Sequence, residues 1–333
     1  SSSIPAAQVS AKSPMFKMKK CYIKQLFFTV VLAMKAFVLT CCIWMVGCLA
    51  ASGEALGREK ELVVIYTSNT NGYLEACNCS SRNLGGLARR MTLLKRLRQE
   101  LGHKALLFDA GNIFSPYPRG LNREATVAKI VQKMGYDAIN LGEQEFTNGL
   151  TFLSTKLNTK RLVSANVKVK EKNLAEAFFI DRVSGIRVAV TGLLTKNAYS
   201  YLPAETKAEL QFSEPFAALK ETLQRLKREA PDVIILMLRA LDYQIEKKLA
   251  EAFPEINVIL TCSEDFSQAS PKIYGKTIVT SAGKDGEHVG MLKLRVDTGT
   301  QRVSAAQSRL IGLSPAIQPD PEIYEIIQNA NLN

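Results

Sequence analysis

The chain has 333 residues, 47% apolar and 22% charged, enough to bury a sizeable core, which excludes disorder by composition. Its formal charge of +12 is not spread evenly: residues 1–47 hold Lys12, Lys17, Lys19, Lys20, Lys24 and Lys35 and no acid. The remainder carries 37 basic against 31 acidic residues, a mild excess that does not point to a polyanion, so no nucleic-acid partner is expected.

Residues 1–14 are polar and precede Met15, and translation is expected to start at Met15 or Met18. They are given no structure. The lysine-rich start and the apolar runs 26–34 and 36–51, parted by Lys35, read as a targeting segment over 15–53. Met45-Val46-Gly47-Cys48 is similar to a bacterial lipobox with methionine in place of the usual leucine, which makes Cys48 the candidate lipidation site. A retained membrane anchor over 26–51 and ordinary cleavage are the alternatives. Each exports the domain, 54–333, and the first two hold it at the membrane, on a periplasmic or extracellular face.

From Glu61 onward short β-branched runs alternate with amphipathic stretches, which predicts a layered α/β domain. A buried strand is expected at 62–67 (LVVIYT). A helix follows Gly85-Gly86, with Leu87, Met91, Leu94 and Leu101 on one face. Arg89, Arg90, Lys95, Arg96 and Arg98 are read as its solvated face. Strands are expected at 105–108, 137–141, 162–165, 186–194, 233–238 and 256–261. Helices are expected at 126–134, 215–228 and 246–252. The end of the chain predicts antiparallel strands at 277–281, 289–296 and 302–313, with turns at Asp285-Gly286 and Thr298-Gly299, then a helix at 322–328.

Of seven cysteines, Cys21, Cys41, Cys42 and Cys48 lie in the head, leaving Cys77, Cys79 and Cys262 for the domain. An odd number in an oxidising compartment leaves at least one thiol free, metal-bound or paired outside the chain.

Several blocks, in order, carry a specific resemblance. Tyr66-Thr67-Ser68-Asn69-Thr70-Asn71-Gly72 is followed by Leu84-Gly85-Gly86-Leu87-Ala88-Arg89-Arg90. Then come Asp109-Ala110-Gly111-Asn112, Gly135-Tyr136-Asp137-Ala138, Leu141-Gly142-Glu143-Gln144-Glu145-Phe146 and Ser164-Ala165-Asn166-Val167. Together they resemble the 5'-nucleotidase family of calcineurin-like metallophosphoesterases. The resemblance implies an α/β fold, a layered β-sandwich flanked by helices. It also implies a two-metal centre held by histidine, aspartate and asparagine, which polarises a phosphoryl group and generates the attacking hydroxide.

Carried over position by position, the resemblance places other residues at those ligands. The first aspartate falls on Asn69, a histidine on Asn71, the bridging aspartate on Asn112, the asparagine ligand on Glu143 and the leaving-group histidine on Gln144. The later histidines fall on Arg239, Ser263 and Asp265. The whole chain has two histidines, His103 and His288, too few for a nitrogen-rich dinuclear site. No cofactor is expected; the alternative is a divalent manganese or zinc ion at a site outside the family's ligand set.

Arg239 brings a fixed cation to the site, with Glu143 and Asp265 as its expected partners. A salt-bridged cluster and a loose polar pocket are the two readings. Cys77, Cys79 and Cys262, the last expected at the pocket mouth, form a candidate thiol or soft-metal site, against which stands a loop-closing disulfide or isolated thiols. Residues 315–333 resemble the segment that leads to the family's nucleotide-recognition domain, and that domain is expected to be absent. The leading expectation is an exported, non-catalytic binding or scaffolding domain with a protein or small-molecule partner. Its rivals are an active phosphoesterase with a rearranged site and a thiol-based metal or redox module.

Overall fold

The computed structural model describes residues 59–76, 83–157, 161–170, 174–242, 244–263 and 270–330, together with Met34, Lys35 and Phe37. Contacts divide the chain into Ser1–Arg58 and Glu59–Asn333. Apart from those three residues, the expected targeting segment with Cys48 lies outside the described residues. Among the described residues no helix is long and apolar enough to cross a membrane.

In chain order the strands of the second unit begin with β1 (Glu59–Thr67), β2 (Ala105–Asp109), β3 (Ala138–Asn140), β4 (Leu162–Val163), β5 (Val167–Val169), β6 (Phe178–Val183) and β7 (Ile186–Leu194). They continue with β8 (Leu210–Phe212), β9 (Val233–Arg239), β10 (Val258–Thr261), β11 (Lys272–Tyr274), β12 (Thr277–Thr280), β13 (His288–Asp297) and β14 (Arg302–Gly312). The helices are α1 (Leu87–Leu101), α2 (Leu121–Met134), α3 (Gly149–Lys156), α4 (Lys196–Ser200), α5 (Ala204–Glu209), α6 (Pro215–Arg228), α7 (Ile245–Ala252) and α8 (Pro321–Gln328).

Two sheets form the frame, ordered β14-β13-β1-β2-β3-β4 and β11-β12-β10-β9-β7-β6. Strands β1 to β4 run parallel to one another, as do β7, β9, β10 and β12. The antiparallel strands β6 and β11 close the edges of the second sheet. Side chains alternate across each strand. Leu62, Val64 and Tyr66 therefore face the second sheet, where Val190, Ile235, Met237 and Leu260 meet them. Val63 and Ile65 point the other way, under Leu87, Met91 and Leu94 of α1 and Val127 and Val131 of α2. On the far side Leu236 and Leu238 lie under Leu219, Leu223 and Leu226 of α6 and Leu249 of α7. Both faces of each central strand are covered, which is why those strands read as unbroken apolar runs. The result is the expected helix-flanked, layered α/β sandwich.

Three expectations need correction. β12 pairs parallel with β10 and belongs to the second sheet, while only β13 and β14 extend the first sheet as an antiparallel hairpin. Helix α2 starts at Leu121, not at 126, because Gly120 with φ 95° breaks the preceding loop there. Arg90 does not share the solvated face of Lys95, Arg96 and Arg98 but is 1% exposed. It follows Leu87 by three positions, which puts it on the apolar stripe.

Candidate functional site

Parallel strands deliver their carboxyl ends to one edge of the sandwich, the place where α/β sheets gather functional loops. Here the loops after β1, β2 and β3 from one sheet meet those after β9 and β10 from the other. Asn69 and Asn71 follow β1, Asn112 follows β2, Glu143 and Gln144 follow β3, and Arg239 ends β9.

The geometry is that of a charge-paired cluster. Arg239 Nε donates to Glu143 Oε1 at 3.0 Å and to Oε2 at 2.8 Å, and its Nη2 donates to Oε1 at 2.5 Å. The two side chains are 8% and 11% exposed. A guanidinium and a carboxylate fit each other in this forked way, which is among the stronger arrangements open to an ion pair. Arg239 Nη1 reaches the Cys262 carbonyl at 3.4 Å. The Asn112 amide matches its neighbours with its oxygen turned inward, accepting from Arg239 Nε at 3.0 Å and Gln144 Nε2 at 3.1 Å; the surrounding donors assign that orientation. Burial works against the charge on Arg239, but the bonds and charge of Glu143 outweigh it and hold the guanidinium above its ordinary pKa.

The other aligned residues bind the loops together. Asn69 Nδ2 donates to the carbonyls of Cys262 and Gly283, each at 2.9 Å, and Asn71 Nδ2 donates to Asp285 Oδ1 at 3.0 Å. Asn69, Asn71 and Asn112 all hold left-handed backbone, with φ of 47°, 51° and 62°, a region asparagine enters more readily than most residues. Ser263 is engaged elsewhere: its amide donates to Thr261 Oγ1 and its carbonyl accepts from Ser281 Oγ, both at 3.2 Å. Asp265 lies outside the described residues, so Glu143 is the one expected acidic partner of Arg239 that the structure places. Gly142 makes room for the cluster, since a Cβ there would lie 2.9 Å from Glu145 Oε2 and 3.2 Å from Arg239 Cγ.

Cys262 corrects an expectation about the site. It is fully buried, not at a pocket mouth, and its Sγ donates to the carbonyls of Ala110 at 2.9 Å and Gly111 at 3.3 Å. Burial pushes the thiol well above its ordinary pKa, so it is protonated and shielded. Cys77 and Cys79 lie outside the described residues.

Beneath the cluster is a buried network that the sequence reading assigned no role. Glu145 accepts from the amides of Ile113 at 2.7 Å, Gly142 at 2.7 Å and Asn112 at 3.1 Å. Burial raises its pKa to about 7 against the pull of those three bonds. Asp109 accepts from Thr67 Oγ1 at 2.5 Å and from the Gly111 amide at 2.9 Å. Thr67 Oγ1 is also 2.8 Å from Tyr136 Oη. Arg90 donates to Thr70 Oγ1 at 2.9 Å, and its charge offsets part of the desolvation of Asp109. A carboxylate closing an apolar run, as in ALLFD, was the available signal for this network.

These residues do not fit a pair of divalent ions. Among the described residues no group of three or more His, Cys, Asp or Glu is placed to hold a metal. The carboxylate nearest the cluster is already bound by a guanidinium.

Comparison with known proteins agrees with the fold. No family model matches the chain. The 5'-nucleotidase precursor of Thermus thermophilus superposes with a TM-score of 0.68 at 23% identity, covering 81% of this chain and 58% of that one. The domain is thus a metallophosphoesterase-type sandwich. In sequence, a 5'-nucleotidase of Vibrio cholerae is 29% identical over 211 residues, 60% of this chain and 38% of that protein. Protein 5NUC of Lutzomyia longipalpis is 26% identical over 266 residues, 71% of this chain and 46% of that protein. The chain is thus similar in sequence to 5'-nucleotidases and shares the fold of calcineurin-like phosphoesterases, and it spans less than half the length of both curated relatives.

Proposed function

We propose that this domain is a non-catalytic member of the 5'-nucleotidase family, an extracytoplasmic binding or scaffolding module that keeps the sandwich without the two-metal reaction. The forked Arg239–Glu143 pair carries the reading. It sets a fixed cation and its counter-ion among residues that the sequence resemblance aligns with metal ligands, and it engages the acid that a metal would need. Export rests on the lysine-led apolar head with Cys48, and the partner on this reading is a protein or small molecule recognised by the surface.

The test is elemental analysis of the purified protein together with hydrolysis of a chromogenic phosphate ester, with added manganese or zinc and with chelator. The expected result is less than stoichiometric metal and no chelator-sensitive turnover. Two tightly held metal ions, or manganese-dependent hydrolysis lost on Glu143→Ala, would establish a rearranged active site instead. A thiol-centred function is disfavoured by the sealed position of Cys262.

A further inference from the structure

A cavity of about 580 Å³ lies on the flank of the sandwich, where the edge strand of one sheet, β4, meets the edge strand of the other, β6. Strand β5, paired with β8, supplies Val167, Lys168 and Val169 to its wall. Its size falls within the range of small-molecule pockets, roughly 300–1,000 Å³. The walls are mixed, polar and apolar surface in similar shares, with Leu141, Val167, Leu174 and Phe178 supplying apolar contact. Among the described residues, Lys168, Lys170 and Arg225 line it against one acid, Glu176.

Among the described residues those cations are not paired with acids. Lys170 Nζ donates to the Ala208 carbonyl at 2.6 Å. No carboxylate lies within ion-pairing distance of Lys168 or Arg225 among the described residues. Arg225 instead lies over the Phe178 ring, 5.0 Å from its centre. A cation resting on an aromatic face at the edge of the cavity keeps its outward N–H donors for an anion.

We infer that this cavity binds an amphipathic organic anion, its apolar body in the hollow and a carboxylate head between Lys168 and Arg225. The site is separate from the Arg239 cluster and stands whether or not the domain is catalytic. Leu141, which lines the cavity, directly precedes Gly142 at the cluster, so an occupied cavity would buttress the loop that carries Glu143.

The full chain is titrated with 11-(dansylamino)undecanoate, followed by fluorescence and displaced with decanoate. Saturable one-to-one binding is expected. The double substitution Lys168→Glu and Arg225→Glu, both on exposed positions, should weaken it at least about tenfold without lowering the unfolding temperature. Ala175→Trp, which fills the cavity, should abolish it; should that variant fail to fold, the charge-reversed protein decides alone. Displacement by decanol as strong as by decanoate would overturn the assignment to an anion. Unchanged affinity in the charge-reversed protein would overturn the site. So would recruitment to phosphatidylglycerol vesicles with no response to decanoate.

Discussion

Arg239 and Glu143 join the two sheets of the sandwich at their shared edge, one side chain from the end of β9 and the other from the loop after β3, with Nε bonded to both carboxylate oxygens. Removing one member leaves the other buried and uncompensated, which typically costs 3–5 kcal/mol. Arg239→Ala is therefore expected to destabilise the domain by about that amount in chemical denaturation. The double variant Arg239→Met, Glu143→Gln should lose much less than the sum of the single changes. Additive losses would show that the two residues are not energetically coupled.

Glu145 should give the domain a pH-dependent stability of its own. Its folded pKa of about 7 lies above the ordinary 4.5, so the folded state holds the proton more tightly than the unfolded state. The stabilisation is complete below the unfolded value and declines as pH rises toward 7. By linkage at 1.36 kcal/mol per unit, its full extent is at most about 3 kcal/mol. Glu145→Gln lacks that titration. The difference in unfolding free energy between wild type and variant should therefore vary between about pH 4.5 and about pH 7 and be flat above. A difference constant over that range would mean that Glu145 titrates normally.

Cys262 should be chemically silent in the folded protein. In a variant keeping only this cysteine, a disulfide reagent at about pH 8 should label it no faster than the chain unfolds, and fully in denaturant. Rapid labelling under native conditions would mean that the cover formed by Ala110 and Gly111 opens.

Arg90 is a buried cation whose charge offsets part of the desolvation of Asp109. Arg90→Leu keeps the apolar packing but removes that charge and the bond to Thr70. A loss on the order of 1–3 kcal/mol is expected in the same denaturation assay. A near-neutral effect would show that Asp109 is satisfied by Thr67 and Gly111 alone.

Where local signals coincide, the elements were legible in the sequence. Strand β7 has the predicted bounds, because its nine residues are apolar for most of their length and a Ser184-Gly185 turn precedes them. Helix α6 likewise matches, since Pro215 stands at its first position and Glu214 accepts from the Ala217 amide at 3.0 Å. The same Ser184-Gly185 turn could have revealed β6, which pairs back across it. The sheet that β12 joins could not be read locally, since parallel pairing with β10 is a long-range choice. The meeting of Arg239 with Glu143 was legible because ordered blocks aligned both with one site. The depth of Cys262 was not, because its cover comes from carbonyls about 150 residues earlier in the chain.

The left-handed asparagines have a mechanical consequence. The Asn69 amide bonds to the Gly111 carbonyl at 3.0 Å, that of Asn71 to Asn112 at 3.0 Å and that of Gly72 to Ile113 at 2.9 Å. These bonds carry the β1–β2 ladder past the last strand residues and zip two loops into one ribbon. Whatever approaches this edge of the molecule meets a stiff, pre-shaped ledge, with little of the ordering entropy that a loose loop would lose on contact.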